Sequence, residues 1–151
     1  MARRTWPWLA LAVPLGASLG VGLFTLGYSE ALAYLSDDPE ACANCHIMNE
    51  QLEGWLRGPH RAVAVCNDCH VPHDLLGKYA TKALNGWNHS KAFTLQDFPE
   101  PIRITPRNAA ILQEGCLHCH GAVVYELISR SGDDPVRCVH CHRGVGHGPI
   151  R

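Results

Sequence analysis

The sequence predicts a mainly α-helical protein with much irregular loop: one N-terminal transmembrane helix followed by a small domain that side chains alone cannot fill. Three observations predict it. From Thr5 to Ser29 there is no charged residue, and the run Trp8 to Tyr28 is mostly Leu, Ala, Val, Gly and Phe. Beyond it, apolar residues recur at helical spacing between Pro- and Gly-rich breaks, with no convincing strand pattern. All eight cysteines fall in four copies of one motif, Cys-x-x-Cys-His.

The apolar run has the length needed to cross a bilayer core as a helix, expected at about residues 7–28. Arg3 and Arg4 precede it and Glu30 follows, so the positive-inside rule leaves the N-terminus in the cytoplasm and exports the rest. Trp6, Trp8 and Tyr28 suit the two interfacial aromatic belts. The competing reading is a cleaved signal peptide, since Ala31-Leu32-Ala33 resembles a processing site. A signal core has roughly 7 to 15 apolar residues, fewer than this run, so an uncleaved anchor is expected. Residues 1–30 are thus read as an inner-membrane anchor and 31–151 as a periplasmic domain.

In the domain, Asp38-Pro39 reads as an N-cap with Pro at the first helical position, opening a helix that carries the first motif. From Asp74 to about Phe93, Leu75, Leu76, Tyr79, Ala83, Leu84 and Trp87 follow a helical period. Lys78, Lys82, Asn85 and His89 form a polar stripe on the opposite side. Pro99, Pro101 and Pro106 break residues 97–108 into an extended connector, and Thr105-Pro106 restarts a helix into Cys116. After Cys119, a helical run with Val123, Val124, Leu127 and Ile128 leads to a turn at Ser131-Gly132-Asp133-Asp134-Pro135 and the last motif. The motifs start at 42, 66, 116 and 138, two pairs separated by the connector, as a duplicated unit would be.

The motifs are Cys42-Ala43-Asn44-Cys45-His46, Cys66-Asn67-Asp68-Cys69-His70, Cys116-Leu117-His118-Cys119-His120 and Cys138-Val139-His140-Cys141-His142. In each, two thiols three apart can add to the vinyl groups of one haem while the adjacent imidazole reaches its iron. Cys-x-x-Cys pairs also build zinc sites, and eight cysteines could pair as four disulfides in an exported protein. Neither alternative requires a His after every second Cys, so four covalently bound haem c groups are expected. Roughly 120 residues must then enclose four haems, and the macrocycles must supply much of the core. The result is a haem-packed multihaem cytochrome c domain in which neighbouring haems form a wire for electrons. Thirteen basic residues are spread among fourteen acidic ones, for a net charge of −1, so no nucleic-acid partner is indicated.

Six further histidines could fill axial positions: His60, His73, His89, His118, His140 and His147. His118 and His140 lie between thioether cysteines and are read as surface residues. His147, five residues after His142, is too close in the chain to pass round a macrocycle to the same iron, so it serves another haem or none. His73 faces the same restriction after His70, whereas His60 is free to reach a distant haem. Met48 stands two residues after His46, so the two cannot ligate opposite faces of one iron. Either His46 binds and Met48 is core, or Met48 takes the iron and His46 is displaced; gap-filling is the commoner use of a thioether.

The anchor, the four motifs in this order, Cys42-Ala43-Asn44-Cys45-His46-Ile47-Met48 at the first and Gly58-Pro59-His60 before the second resemble the NapC/NirT tetrahaem quinol dehydrogenases. Within that family, His89-Ser90-Lys91-Ala92-Phe93-Thr94-Leu95 and Asp97-Phe98-Pro99-Glu100-Pro101-Ile102-Arg103 are most similar to the members that serve cytochrome c nitrite reductase. The resemblance implies Met48 as the ligand of haem 1, with the other face open beside a quinol. It implies His70 at haem 2, completed by a lysine lent by the nitrite reductase catalytic subunit, and the pairs His120 with His147 and His142 with His60 at haems 3 and 4. It also implies a quinol pocket lined by Lys82 and by an acid at the position of His89. Here an imidazole replaces the acid, and it could accept a quinol proton or ligate haem 1.

The expected function is oxidation of menaquinol or another membrane quinol, with electrons passed to the pentahaem catalytic subunit that reduces nitrite to ammonia. A related dehydrogenase feeding another periplasmic reductase, and a tethered electron carrier without quinol chemistry, are the alternatives.

Overall fold

The computed structural model describes residues 6–131 and 136–148. It divides into two compact units between Leu35 and Ser36. Secondary structure among the described residues is helical.

The first unit holds α1, Trp6–Tyr28, which is long and apolar enough to cross a membrane and buries none of its residues. Pro14 lies inside it. Thr25 Oγ1 donates to the Val21 carbonyl at 2.8 Å, which satisfies its hydroxyl within the helix. The helix ends at Tyr28, Glu30 beyond it takes a left-handed φ of 50°, and a 3-10 turn follows at Ala31–Leu35.

The second unit carries α2 (Pro39–Cys42), α3 (Asn49–Arg57), α4 (Cys66–His70), α5 (Leu75–Leu95), α6 (Pro106–Ser129) and α7 (Cys138–Cys141). The caps are those the residues call for. Asp38 accepts from Glu40 N, Asp74 from Gly77 N and Thr105 from Asn108 N. Two expectations change. The helix opened at Asp38 stops at Cys42, and the first motif turns into a 3-10 segment at His46–Met48 that begins after Cys45. The two helical runs around the third motif are one helix, α6, because nothing between Pro106 and Ser129 breaks it. The expected turn at Ser131–Pro135 lies largely outside the described residues.

Two glycines let these helices meet. A Cβ on Gly115 would stand 2.9 Å from the Asp68 carbonyl, so α6 can cross the backbone of α4 only with glycine there. A Cβ on Gly54 would overlap the His147 carbonyl, so the segment after the last motif can lie directly on α3. Gln113 uses both ends of its amide, donating to the Val136 carbonyl at 2.9 Å and accepting from Cys138 N at 3.0 Å, which ties α6 to α7. Arg107 donates to Thr81 Oγ1 and Asn108 to Asn85 Oδ1, joining the start of α6 to α5.

The packing of α5 inverts the usual amphipathic arrangement. Thr81 and Lys82 of its polar side are buried, while Leu76 is 82% exposed and Trp87 69%. Val71 and Ile111 are the buried hydrophobic side chains among the described residues. Two such side chains are far too few to offset the ordering entropy of a unit this size, as a domain that folds around other apolar bodies requires.

Candidate functional site

No disulfide joins any of the eight cysteines, and the four pairs are brought into a series. The Cys42 side chain of the first motif lies within hydrogen-bond reach of Cys66 of the second. Cys69 of the second motif is close enough to Cys119 of the third to feel its charge. Burial pushes Cys116 up, and Cys138 of the fourth motif, which hydrogen-bonds it, adds to the effect. The attachment points therefore run first, second, third, fourth through space as they do along the chain. Among the described residues no three His, Cys, Asp or Glu side chains converge as a bare metal ion would require.

Local structure accounts for each motif. In the second, Asp68 Oδ2 accepts from Val65 N at 2.8 Å and closes the first turn of α4, presenting Cys66, Cys69 and His70 on a short helix. The third motif sits within the long α6, and the fourth occupies α7. The first is the irregular one: His46 is exposed and Met48 half-buried, with Met48 N donating to the Cys45 carbonyl at 2.8 Å.

The histidines pair across gaps. The rings of His70 and His147 lie 5.9 Å apart between centroids, and those of His60 and His120 lie 6.1 Å apart. Two imidazoles on opposite sides of one metal, each with a bond of roughly 2 Å, have centroids about 6 Å apart. The second imidazole of each pair is also oriented for a metal. His60 Nδ1 is 3.4 Å from the Val145 carbonyl and His147 Nδ1 is 2.9 Å from the Gln51 carbonyl. An N–H donated to a carbonyl at Nδ1 leaves the lone pair of Nε2 free to bind. Burial, and then the neighbouring His147, lower His70 to about 4, which keeps it in the neutral form a ligand needs. The residues fit axial ligation of haem.

The resemblance pairs these histidines as His120 with His147 and His142 with His60, while the rings set against each other here are His70 with His147 and His60 with His120. The backbone approach at Gly54 and the anchor on Gln51 bring His147 to the second motif. Neither feature can be read from chain spacing. His142 is exposed and has no imidazole set against it among the described residues. His73 and His118, assigned no ligand role, stack at 3.9 Å with 14° between planes, too close for a metal between them. His140 is exposed.

On the polar stripe of α5 the structure separates Lys82 from His89. Lys82 Nζ donates to the Ser36 carbonyl at 2.6 Å and reaches Asp37 Oδ1 at 3.4 Å. Its side chain is only 5% exposed. His89 lies at the surface, where partial burial lowers it below the ordinary imidazole range. Asp37, which sequence reasoning missed, binds Lys78 at 2.5 Å, Lys82 and Asn67 together. Its one sequence signal was an acid directly before the Asp38-Pro39 cap.

Thioether-forming cysteine pairs, paired imidazoles and a side-chain core too small for the unit define a multihaem cytochrome c. The NapC/NirT cytochrome c family, N-terminal region, matches residues 3–151, and the chain belongs to that family. The cytochrome c-type protein NrfH of Wolinella succinogenes is 38% identical over 145 residues, covering 89% of this chain and 82% of that protein. The cytochrome c nitrite reductase subunit NrfH of Nitratidesulfovibrio vulgaris is 32% identical over 133 residues, covering 87% and 80%. A crystal structure of a cytochrome c nitrite reductase NrfHA complex, bound to the HQNO inhibitor, contains a chain that superposes with a TM-score of 0.67. It is 31% identical, with 92% of each chain covered. The protein is thus a membrane-anchored cytochrome c with covalently bound haem c.

Proposed function

We propose that this protein is the quinol-oxidising tetrahaem subunit of a cytochrome c nitrite reductase, passing electrons from a membrane quinol, menaquinol in the first instance, to the catalytic subunit that reduces nitrite. The observation that carries this reading is the fit along 92% of the chain to a subunit of a nitrite reductase complex, joined to a set of histidines spaced for haem ligation. In this reading α1 spans the inner membrane with its N-terminus in the cytoplasm, and the unit from Ser36 onward stands in the periplasm.

Four haems would be attached through Cys42 and Cys45, Cys66 and Cys69, Cys116 and Cys119, and Cys138 and Cys141. When bound, they supply one-electron relays that let a two-electron donor be oxidised in single steps. Met48 would hold the first iron: it is half-buried while His46 is exposed, which supports the thioether over the imidazole. His70 and His147 would hold the second, and His120 and His60 the third. The fourth, at His142, is then the one left for a lysine lent by the catalytic subunit.

Oxidation of a quinol releases two electrons and two protons, giving the quinone. A base within reach of the hydroxyl lowers the barrier to each loss. Lys82 Nζ donates to the Ser36 carbonyl and lies beside the Asp37 carboxylate. His89 on the same stripe is a candidate base, and burial, which lowers its pKa, keeps the ring in the neutral form that can accept a proton.

The test is reconstitution of the haem-loaded full chain with a nitrite reductase catalytic subunit in menaquinol-containing proteoliposomes. Nitrite consumption that depends on both proteins and is blocked by HQNO is the expected result. Nitrite consumption by the catalytic subunit that ignores this chain would refute the reading. Delivery of electrons to a nitrate reductase but not a nitrite reductase would reassign the partner.

A further inference from the structure

Helix α5 leaves an apolar stripe exposed along its first half. Leu76, Tyr79, Ala80, Ala83, Leu84 and Trp87 follow the spacing of one helix face, and all of them are exposed. Exposed apolar residues scattered singly are ordinary, but a continuous stripe on a folded unit marks a contact surface. The other side of the helix is the one that meets the rest of the chain. Lys82 Nζ donates to the Ser36 carbonyl, just before α2 and Cys42. Lys78 and Asn67 of the second motif meet on the Asp37 carboxylate. Arg107 and Asn108, at the start of the helix that carries the third motif, bond to Thr81 and Asn85. The first three motifs are thus tied to the polar side of α5, and the stripe faces away from their cysteines.

Reach, charge and side-chain chemistry fit this stripe to a lipid surface. The chain from Tyr28 to Ser36 spans at most roughly 30 Å when extended, and the 3-10 turn at Ala31–Leu35 shortens that reach. The middle of α5, bonded to Ser36 through Lys82, is therefore tethered close to the end of the membrane anchor. Leu75–Leu95 holds Lys78, Lys82 and Lys91 and no Asp or Glu, so no carboxylate on the helix repels an anionic headgroup. Lys91 is exposed one turn beyond Trp87. Tyr79 and Trp87 each join an apolar ring to a polar tip, the chemistry that settles at headgroup level. An apolar stripe on one side of a helix that is polar on the other suits a helix lying along a bilayer and not one crossing it.

We propose that the stripe of α5 from Leu76 to Trp87 is a second membrane contact, lying in the interfacial layer of the bilayer that α1 enters. Leu76, Ala80, Ala83 and Leu84 face the acyl chains, Tyr79 and Trp87 sit among the headgroups, and Lys91 meets lipid phosphate. A single anchor leaves the domain free to turn about its tether. A second contact on the same bilayer removes that freedom and holds the segments bonded to the polar side of α5, those leading into Cys42 and around Cys66, at a fixed height above the lipid. The proposal rests on α1 as a membrane anchor and on no part of the quinol reading.

The experiment places the haem-loaded full chain in nanodiscs of phosphatidylcholine and phosphatidylglycerol that include a lipid with a photoactivatable diazirine in its acyl chain. Lipid adducts are mapped by mass spectrometry, and hydroxyl-radical footprinting reads the exposure of Tyr79 and Trp87. Adducts are expected on α1 and on the Leu76–Trp87 stripe, and not on Val123 and Tyr125 of α6, which are 85% and 66% exposed but lie outside it. Leu76→Ser with Trp87→Ser, both at exposed positions, should lower the α5 adducts by roughly tenfold while leaving those on α1 unchanged, because two large side chains lose their apolar contact. Lys91→Gln should remove the gain in α5 labelling that phosphatidylglycerol gives over phosphatidylcholine alone. Adducts confined to α1 would overturn the proposal, and equal labelling of α5 and α6 would do so by showing contact without a dedicated face. Footprint protection of Trp87 without lipid adducts would assign the stripe to a haem or a second copy of the chain, and protection appearing only when a nitrite reductase catalytic subunit is added would assign it to that protein. No arm uses quinol or nitrite, so failure of the chain to oxidise quinol would refute the proposed function while leaving this contact to stand or fall on the adducts.

Discussion

Among single side chains, the histidines divide by what their Nδ1 atoms do. His60 and His147 each turn Nδ1 toward a backbone carbonyl 85 and 96 residues away in the chain, and so present Nε2 to a motif histidine. The motif cysteines were legible from the sequence because thioether chemistry needs only three-residue spacing. The imidazole partners were not, since they depend on where Gln51 and Val145 come to lie in the folded chain. His60→Ala and His147→Ala are each expected to convert one low-spin haem to high spin, read by optical and EPR spectra, leaving the other pair intact. Both variants disturbing the same haem would contradict the pairs His60 with His120 and His70 with His147. Met48→Ala should perturb one haem and abolish quinol oxidation, with His46→Ala largely silent. For His89, the neutral ring is the active form and burial lowers its pKa. The quinol-oxidation rate should therefore rise with pH through a value below the ordinary imidazole range and level off above it. His89→Gln should slow turnover and flatten that rise without changing the haem spectra, and a spectral change would make it a ligand.

Helix starts were the most legible elements, because Asp38, Asp74 and Thr105 are local signals read by the first turn alone. Helix ends and faces were less so. The sequence pattern of α5 separates its polar and apolar sides correctly, yet periodicity does not say which side is buried. Lys82 is inside because Asp37 and the Ser36 carbonyl meet it, an arrangement created by chain crossing. The glycine contacts carry a sharper expectation. Gly115→Ala should force α6 away from the Asp68 carbonyl and cost about 1–3 kcal/mol, the usual range for overpacking. The same change at Gly121, where a Cβ meets nothing within 4 Å, should be far milder. Thermal melts of the two haem-loaded variants make the comparison, and equal melting temperatures would contradict the crossing described for α4 and α6.

For the whole molecule, the sequence signalled a chain that cannot close a core by itself, and the two buried hydrophobic side chains of the described residues agree. Haem attachment should therefore be inseparable from folding. Denaturing mass spectrometry is expected to find the polypeptide heavier by four haems, and a chain expressed without haem attachment should lack cooperative unfolding. The inverted face of α5 and the bare surface of α1 belong to the same economy, in which apolar area is covered by something other than the chain. The most direct test of the central claim is anaerobic addition of menaquinol to the isolated, haem-loaded chain in nanodiscs, followed through the haem absorption bands. Reduction of the haems by menaquinol, abolished by HQNO and by Met48→Ala, is the result this account predicts. Haems that dithionite reduces and menaquinol leaves oxidised would contradict it.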